Sequence, residues 1–82
     1  MTTSDVRRRA HELDVTVWVG KGGIDPVVDE LADQLDSREL VKVRFLRASR
    51  AGTTVDELAD ELAARTDASV FETRGNTAVI RR

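Results

Sequence analysis

Residues 15–26 read VTVWVGKGGIDP, and this stretch decides the fold. Its first five residues alternate with the period of a pleated strand, in which Val15, Val17 and Val19 are separated by Thr16 and Trp18. A turn rich in glycine follows at once, and a helical pattern follows the turn. The stretch therefore predicts a β-strand that leads through a tight turn into a helix.

Three of the four residues in the predicted turn are glycines. Gly20, Gly22 and Gly23 allow positive φ angles and place no Cβ in the way of a ligand, and Lys21 lies among them. At residues 25–26, an aspartate suits a helix cap and a proline suits the first helical position. Free backbone N–H groups, the positive end of a helix dipole and an ammonium would then meet at one spot, which suits a phosphate.

The spacing of apolar residues predicts the other elements of the chain. A first helix is expected over residues 5–13 with Thr3 or Ser4 as its cap, and a second should end near Asp36 or Ser37. Residues 54–57 match a capping box at the start of a third helix, whose buried stripe includes Val55. Further strands are expected at residues 40–46, 69–74 and 77–81, the last two joined by a Gly75-Asn76 turn. The order α-β-α-β-α-β-β predicts an α/β two-layer sandwich with a mixed four-stranded sheet, whose first two strands are parallel.

Length and composition restrict the classes of function. The chain has 82 residues and a net charge of −2, so we expect one domain over residues 1–82. With no cysteine and one histidine, we expect no thiol nucleophile, no metal site, no cofactor and no enzyme activity. The turn also lacks the spacing of a Walker loop or a dinucleotide fingerprint. No apolar run is long enough for a signal peptide or a membrane span, so we expect a soluble, cytoplasmic protein without membrane contacts.

Three short motifs carry a resemblance to a known family. They are G-K-G-G at residues 20–23, E-L-V-K-V-R at 39–44 and T-D-A at 66–68, the last with Asp67 where the family has glycine. In their order and spacing the chain resembles, over nearly its whole length, the CRM RNA-binding domain in its free-standing form, the YhbY family. The resemblance implies a fold like the C-terminal domain of translation initiation factor 3 and a turn that works like the G-x-x-G loop of KH domains.

The resemblance also implies a function. Members bind RNA without catalysis, and the free-standing bacterial form associates with precursors of the large ribosomal subunit. We therefore expect a monomer whose partners are ribosomal RNA or a pre-ribosomal particle, together with ribosomal proteins. Phosphate would be held by the turn and by nearby cations, in a manner that weakens with salt. The candidate RNA-binding residues are Gly20, Lys21, Gly22, Gly23, Arg7, Arg8, Arg9, Lys42, Arg44, Arg47 and Arg50.

Each basic group has a plainer interpretation beside the functional one. The arginines of residues 7–9 are either a phosphate-contacting face beside the glycine turn or a solvated helix face. Lys42 and Arg44 can equally be the polar face of a strand. Residues 47–52 form either a basic loop that orders on a polyanion or a plain solvated linker. For Trp18, packing in the core is favoured over stacking on a base.

A protein-interaction module is the alternative function. The second and third helices have acidic outer faces that include Asp29, Asp33, Asp56 and Asp60. Such faces repel nucleic acid and suit a basic ribosomal protein. A requirement for Lys21 would favour RNA as the partner, and a requirement for the acidic residues would favour a protein.

Overall fold

The computed structural model describes the backbone of residues 3–82 and the side chains of residues 4–82. The elements are α1 (Thr3–Glu12), β1 (Val15–Val19), α2 (Val28–Ser37), β2 (Leu40–Phe45), α3 (Val55–Arg65), β3 (Ser69–Arg74) and β4 (Thr77–Arg81). Short 3-10 helices precede α2 at Asp25–Val27 and follow β2 at Arg47–Arg50. The predicted order of helices and strands is confirmed. Within the described residues, no helix has the length and apolar character needed to cross a bilayer.

The four strands form one mixed sheet in the order β1-β2-β4-β3. β1 and β2 are parallel, and both pairs that involve β4 are antiparallel, so the predicted mixed sheet is confirmed. Val19 pairs with Phe45, which means that β1 and β2 end at the same edge of the sheet. The β3–β4 hairpin turn reaches that edge as well, because the Phe45 N–H donates to the Asn76 carbonyl at 2.8 Å. We call this side of the molecule the turn edge; it comprises residues 20–23, 46–50 and 75–76.

Helices α2 and α3 cover one face of the sheet and enclose the main core. From β1 and β2, fully buried side chains on this face include Val17, Val19, Val43 and Phe45. The helices contribute leucines at their apolar stripes, namely Leu31, Leu35, Leu58 and Leu62. Each such side chain contributes about 1.5–3 kcal/mol on burial, so this face supplies most of the hydrophobic stabilisation.

Helix α1 packs on the opposite face of the sheet, a position that the sequence did not predict. Val6 and Ala10 are buried there against Leu40 and Val79, with Phe71 packed at the side. The helix leaves much of the last row before the turn edge accessible, and it approaches that row only at the β3 end, where Arg7 and His11 line grooves with Arg74. In that row Trp18 pairs with Arg44, Arg44 with Thr77 and Thr77 with Arg74, one residue from each strand. We call these four residues the open row.

A bulge at Thr16 sets which residues of β1 face the core. Val15 pairs with Lys42 whereas Val17 pairs with Val43, so one residue of β1 is unpaired between them. The Thr16 hydroxyl donates to the side-chain carbonyl of Gln34 at 2.5 Å, and the Gln34 amide donates back to the Thr16 carbonyl at 3.2 Å. These bonds tie the bulge to α2 and take Val15 out of the buried row.

The basic segment after β2 is ordered within the fold. Residues 47–50 form a 3-10 helix in which Ser49 is buried, and its hydroxyl donates to the Leu46 carbonyl at 2.7 Å. The loop is therefore neither disordered nor a plain solvated linker, because a buried hydroxyl with a backbone partner fixes its path.

Helix caps were predicted with mixed success. The Thr54 side chain accepts the Glu57 N–H at 3.1 Å, which confirms the cap of α3. The Glu57 carboxylate accepts from the Thr53 hydroxyl at 2.8 Å. Ser4, a predicted cap of α1, lies inside that helix, and the side chain of the other candidate, Thr3, lies outside the described residues.

Helix α3 ends in a Schellman motif that uses an aspartate in a left-handed conformation. The Ala68 N–H donates to the Ala63 carbonyl at 2.9 Å, and the Asp67 N–H donates to the Ala64 carbonyl at 3.3 Å. Asp67 has a φ of 58°. Glycine is the usual residue here because it adopts this conformation without a Cβ clash, so the turn keeps its shape although the glycine is absent.

Asp67→Gly should stabilise the protein, because it removes the cost of a side chain in the left-handed region. The expected gain in unfolding free energy is about 0.5–1 kcal/mol after the extra chain entropy of glycine is subtracted. Urea unfolding followed by circular dichroism measures it. Asp67→Ala is the control, and it should give no gain because it keeps the Cβ. If the Asp67→Gly variant were no more stable than Asp67→Ala, the left-handed conformation of residue 67 would carry no cost, which would contradict the prediction.

Candidate nucleic-acid interface

The glycine turn is a four-residue turn closed by one backbone hydrogen bond. The Gly23 N–H donates to the Gly20 carbonyl at 3.0 Å, with Lys21 and Gly22 between them. Gly23 has a φ of 75°, which only glycine adopts freely. A Cβ on Gly22 would lie 3.1 Å from the Pro26 ring. The shape of the turn therefore favours glycine at position 23 through its φ angle, and it leaves little room for a side chain at position 22.

The outer side of the turn offers hydrogen-bond donors. Within the described residues, the N–H groups of Lys21 and Gly22 donate to no acceptor. Lys21 and Gly22 are exposed, and the Lys21 ammonium has no carboxylate partner among residues 4–82. Two unused N–H groups beside a free ammonium form a suitable site for an anion.

The predicted helix start behind the turn is different in the structure. Asp25 does not cap a helix; it begins the 3-10 helix, and its carboxylate accepts a hydrogen bond from Arg65 of α3. This hydrogen bond raises the pKa of the Arg65 guanidinium. Helix α2 begins at Val28, five residues beyond Gly23. The α-helix dipole therefore does not start at the turn, and the anion site depends on the turn itself.

Three arginines lie at or beside the turn edge. The Leu46 N–H donates to the Val19 carbonyl at 2.8 Å, and this bond holds the 3-10 helix with Arg47 and Arg50 next to the end of β1. Arg47 is exposed, whereas Arg50 is half-buried and its Nε has no acceptor among the described residues. Arg44 is exposed in the open row. None of the three forms an ion pair within residues 4–82.

The other predicted cations are not brought to the turn. The Lys42 ammonium donates to the Leu13 carbonyl at 3.4 Å, at the base of α1. Arg9 lies 3.1 Å from the carboxylate of Glu39, which precedes β2. Because Phe45 at the end of β2 is six residues from Glu39, roughly 20 Å of strand separates Arg9 from the turn edge.

The remaining arginines of α1 have separate positions. Arg8 pairs with Asp5 at 2.8 Å on the exposed side of the helix. Arg7 is exposed and, with Arg74, lines a groove of about 540 Å³ between α1 and β3. The triplet therefore does not act as one face beside the glycine turn.

Trp18 and Arg74 lie in the open row, and the sequence analysis did not include them among the candidate RNA-binding residues. The prediction that Trp18 packs in the core was wrong, because its side chain is 53% exposed. The signal was present, since the neighbours Val17 and Val19 are buried and alternation directs Trp18 to the other face. Arg74 was missed because its neighbours become known only from the strand order.

Charge is separated between the two sides of the molecule. The predicted acidic residues of α2 and α3, Asp29, Asp33, Asp56 and Asp60, are all exposed. Asp56 is the exception to the separation, because its carboxylate accepts a hydrogen bond from the Thr73 hydroxyl of β3 at 2.8 Å, next to Arg74. The turn edge and the open row carry Lys21 and the unpaired arginines described above. The net charge of −2 therefore conceals a basic surface on the side away from these helices.

The whole described length matches a known domain. The CRS1 / YhbY (CRM) domain matches residues 2–82. The chain belongs to this family. The resemblance drawn from the three sequence motifs is thereby confirmed.

Relatives of this CRM domain come from archaea and bacteria. The chain is similar to "Probable RNA-binding protein MJ0652" of Methanocaldococcus jannaschii, with 36% identity over 75 residues, which is 92% of the chain and 56% of the relative. The chain thus spans little more than half of that protein. It is also similar to "Probable RNA-binding protein YqeI" of Bacillus subtilis, with 33% identity over 76 residues, which is 92% of the chain and 77% of the relative.

A solved structure has the same fold. The CRM domain superposes on the solution structure of SAV1595 from Staphylococcus aureus with a TM-score of 0.74 and 30% sequence identity. The match covers 96% of this chain and 81% of that one.

Substitutions of two turn glycines should have different effects on stability. Gly23→Ala should lower the unfolding free energy by about 1 kcal/mol, because its φ of 75° is strained for alanine. Gly20→Ala should change it by no more than about 0.5 kcal/mol, because the new Cβ would make an ordinary contact of 3.8 Å with Leu46. Urea unfolding of both variants provides the comparison. Equal losses in the two would contradict this geometry.

Proposed function

We propose that this CRM domain binds RNA by holding backbone phosphate at the glycine turn. The observation that carries the proposal is the meeting, at one edge of the sheet, of two unused N–H groups, the Lys21 ammonium and unpaired arginines. Two relatives with the same domain are named as probable RNA-binding proteins, which supports RNA as the ligand.

The chemistry is that of an anion site without catalysis. A phosphate oxygen would accept hydrogen bonds from the N–H groups of Lys21 and Gly22, while the ammonium neutralises its charge. Arg44 and Arg47 would contact neighbouring phosphates, and their planar guanidinium groups can each donate two hydrogen bonds to one phosphate. Such contacts position the backbone and carry little sequence information. We therefore propose recognition of RNA shape rather than of one sequence.

The proposed RNA is part of a precursor of the large ribosomal subunit. This choice of RNA is supported by the resemblance of the chain to the free-standing form of the family. We propose in addition that the protein acts as a monomer and in the cytoplasm. Gly20, Gly23 and Arg50 would support the contact from within the turn edge. Arg8 and Arg9 are excluded from it because their carboxylate partners lie away from the turn.

Lys21→Ala should weaken RNA binding and lower its salt dependence. Loss of one phosphate contact should reduce the slope of log affinity against log salt by about 1. Fluorescence anisotropy with a labelled ribosomal RNA fragment, measured across a salt series, gives both affinity and slope.

Arg38→Ala is the matched control for Lys21→Ala. It removes one positive charge from an exposed residue just before β2, at the opposite end of the sheet from the turn. Its slope should equal that of the native chain. If both variants weaken binding equally, the effect is one of net charge and phosphate capture at the turn is refuted. A folded native chain that binds no RNA at low salt would refute the proposed function altogether.

A second candidate function is docking on a basic ribosomal protein. It is favoured by the exposed carboxylates of α2, such as Asp29 and Asp33, on a helix that packs on the other face of the sheet from the open row. Charge reversal at Asp29 and Asp33 should abolish association with pre-ribosomal particles if these faces dock. It should leave association unchanged if RNA contact at the turn is sufficient.

A further inference from the structure

We infer that the open row binds an unpaired segment of RNA, with one base stacked on Trp18 and with Arg44 and Arg74 on adjacent phosphates. This inference rests on the proposed function and names the form of RNA that the site takes. It starts from the exposure of Trp18, whose side chain is 53% accessible on a sheet face that α1 leaves uncovered.

The position of Trp18 suits stacking. It lies two residues before Gly20, in the last row of the sheet before the turn that holds the proposed phosphate site. Leu46, the other large exposed apolar side chain, is 41% accessible, and its Cδ1 would lie 3.8 Å from a Cβ placed on Gly20. Leu46 thus adds exposed apolar surface next to Gly20, at the start of the turn.

The charges of the open row complement a nucleic-acid strand. Arg44 pairs directly with Trp18, and Arg74 lies at the far strand. Neither arginine has a carboxylate partner among residues 4–82. Across four strands at a spacing of about 4.8 Å, the row is roughly 14 Å long. Four-stranded sheets of RNA-recognition domains stack two or three bases on such a surface.

One carboxylate lies close to the open row. Glu72 is two residues before Arg74 in β3, and the two side chains line the same groove. The Glu72 carboxylate lies 3.1 Å from the His11 ring of α1, so it already has a partner on the side of the helix.

An unpaired strand fits this surface better than a duplex does. In an RNA duplex the base faces are stacked on one another, so Trp18 has no free base to contact. An unpaired base exposes its face, and stacking on an aromatic side chain accepts any base. The open row would then extend the phosphate site by adding affinity for loops and single strands.

The intrinsic fluorescence of Trp18 tests this inference directly, because it is the only tryptophan in the chain. The probes are a short single-stranded RNA of mixed sequence without self-complementarity and a hairpin duplex of the same base composition. The single strand should quench the emission strongly on saturation, and the duplex should quench it weakly.

Variants separate stacking from phosphate contact. Trp18→Leu should weaken binding of the single strand about tenfold without changing the salt slope, whereas Trp18→Phe should retain much of the affinity. Arg44→Ala should lower the slope by about 1. Because the Trp18 side chain is half exposed, Trp18→Leu should remain folded, and circular dichroism checks this.

The outcomes distinguish this inference from the proposed function. If Trp18→Leu binds the single strand as tightly as the native chain while Lys21→Ala does not, stacking is refuted and phosphate capture stands. Emission that is unchanged at saturation with RNA would also refute stacking on Trp18. If the folded native chain binds neither probe at low salt, both ideas fail together.

Discussion

The parallel pairing of β1 with β2 is the constraint on which the rest of the molecule depends. Val17 and Val19 pair with Val43 and Phe45, and all four side chains are fully buried beneath α2 and α3. Two parallel strands must be joined by a crossover, so the chain has to turn away from the sheet directly after Val19. The glycine turn is this departure point. Since both strands end at the same edge, the basic segment after β2 necessarily lies beside it.

The two faces of the sheet differ in how far helices cover them. The face under α2 and α3 is apolar throughout and supplies the stability of the fold. The other face carries α1 only over Leu40, Val79 and Phe71, and the row nearest the turn edge stays accessible. A tryptophan can be exposed in that row without loss of the core, because the valines on either side of it are buried on the other face. The stability of the fold and the proposed recognition of RNA thus depend on alternate residues of the same strand.

The sequence was sufficient for the order and bounds of most elements, because alternation and helical spacing are local properties. It also located the turn and its lysine. It could not assign α1 to a face, since an apolar stripe of Val6 and Ala10 shows that a helix packs but not against what. The expected position of Arg7–Arg9 beside the turn failed for that reason. The prediction that Trp18 packs in the core was wrong because it relied on the apolar character of the side chain. The alternation with Val17 and Val19 indicated the opposite face of the sheet. Aspartate is a residue type that often caps helices, but the carboxylate of Asp25 instead accepts a hydrogen bond from Arg65, which is distant in the sequence.

The basic groups at the turn edge and the acidic groups on the outer side of α2 give the domain two electrostatically different sides. The molecule measures 37 × 24 × 19 Å, and even its shortest dimension exceeds two screening lengths of about 8 Å at physiological salt. At physiological salt, repulsion that acts through solvent between a polyanion at the sheet and the carboxylates on the outer side of α2 would therefore be weakened. Such a molecule would approach a polyanion preferentially with the sheet side first, which leaves the acidic side of α2 directed outward for a second contact.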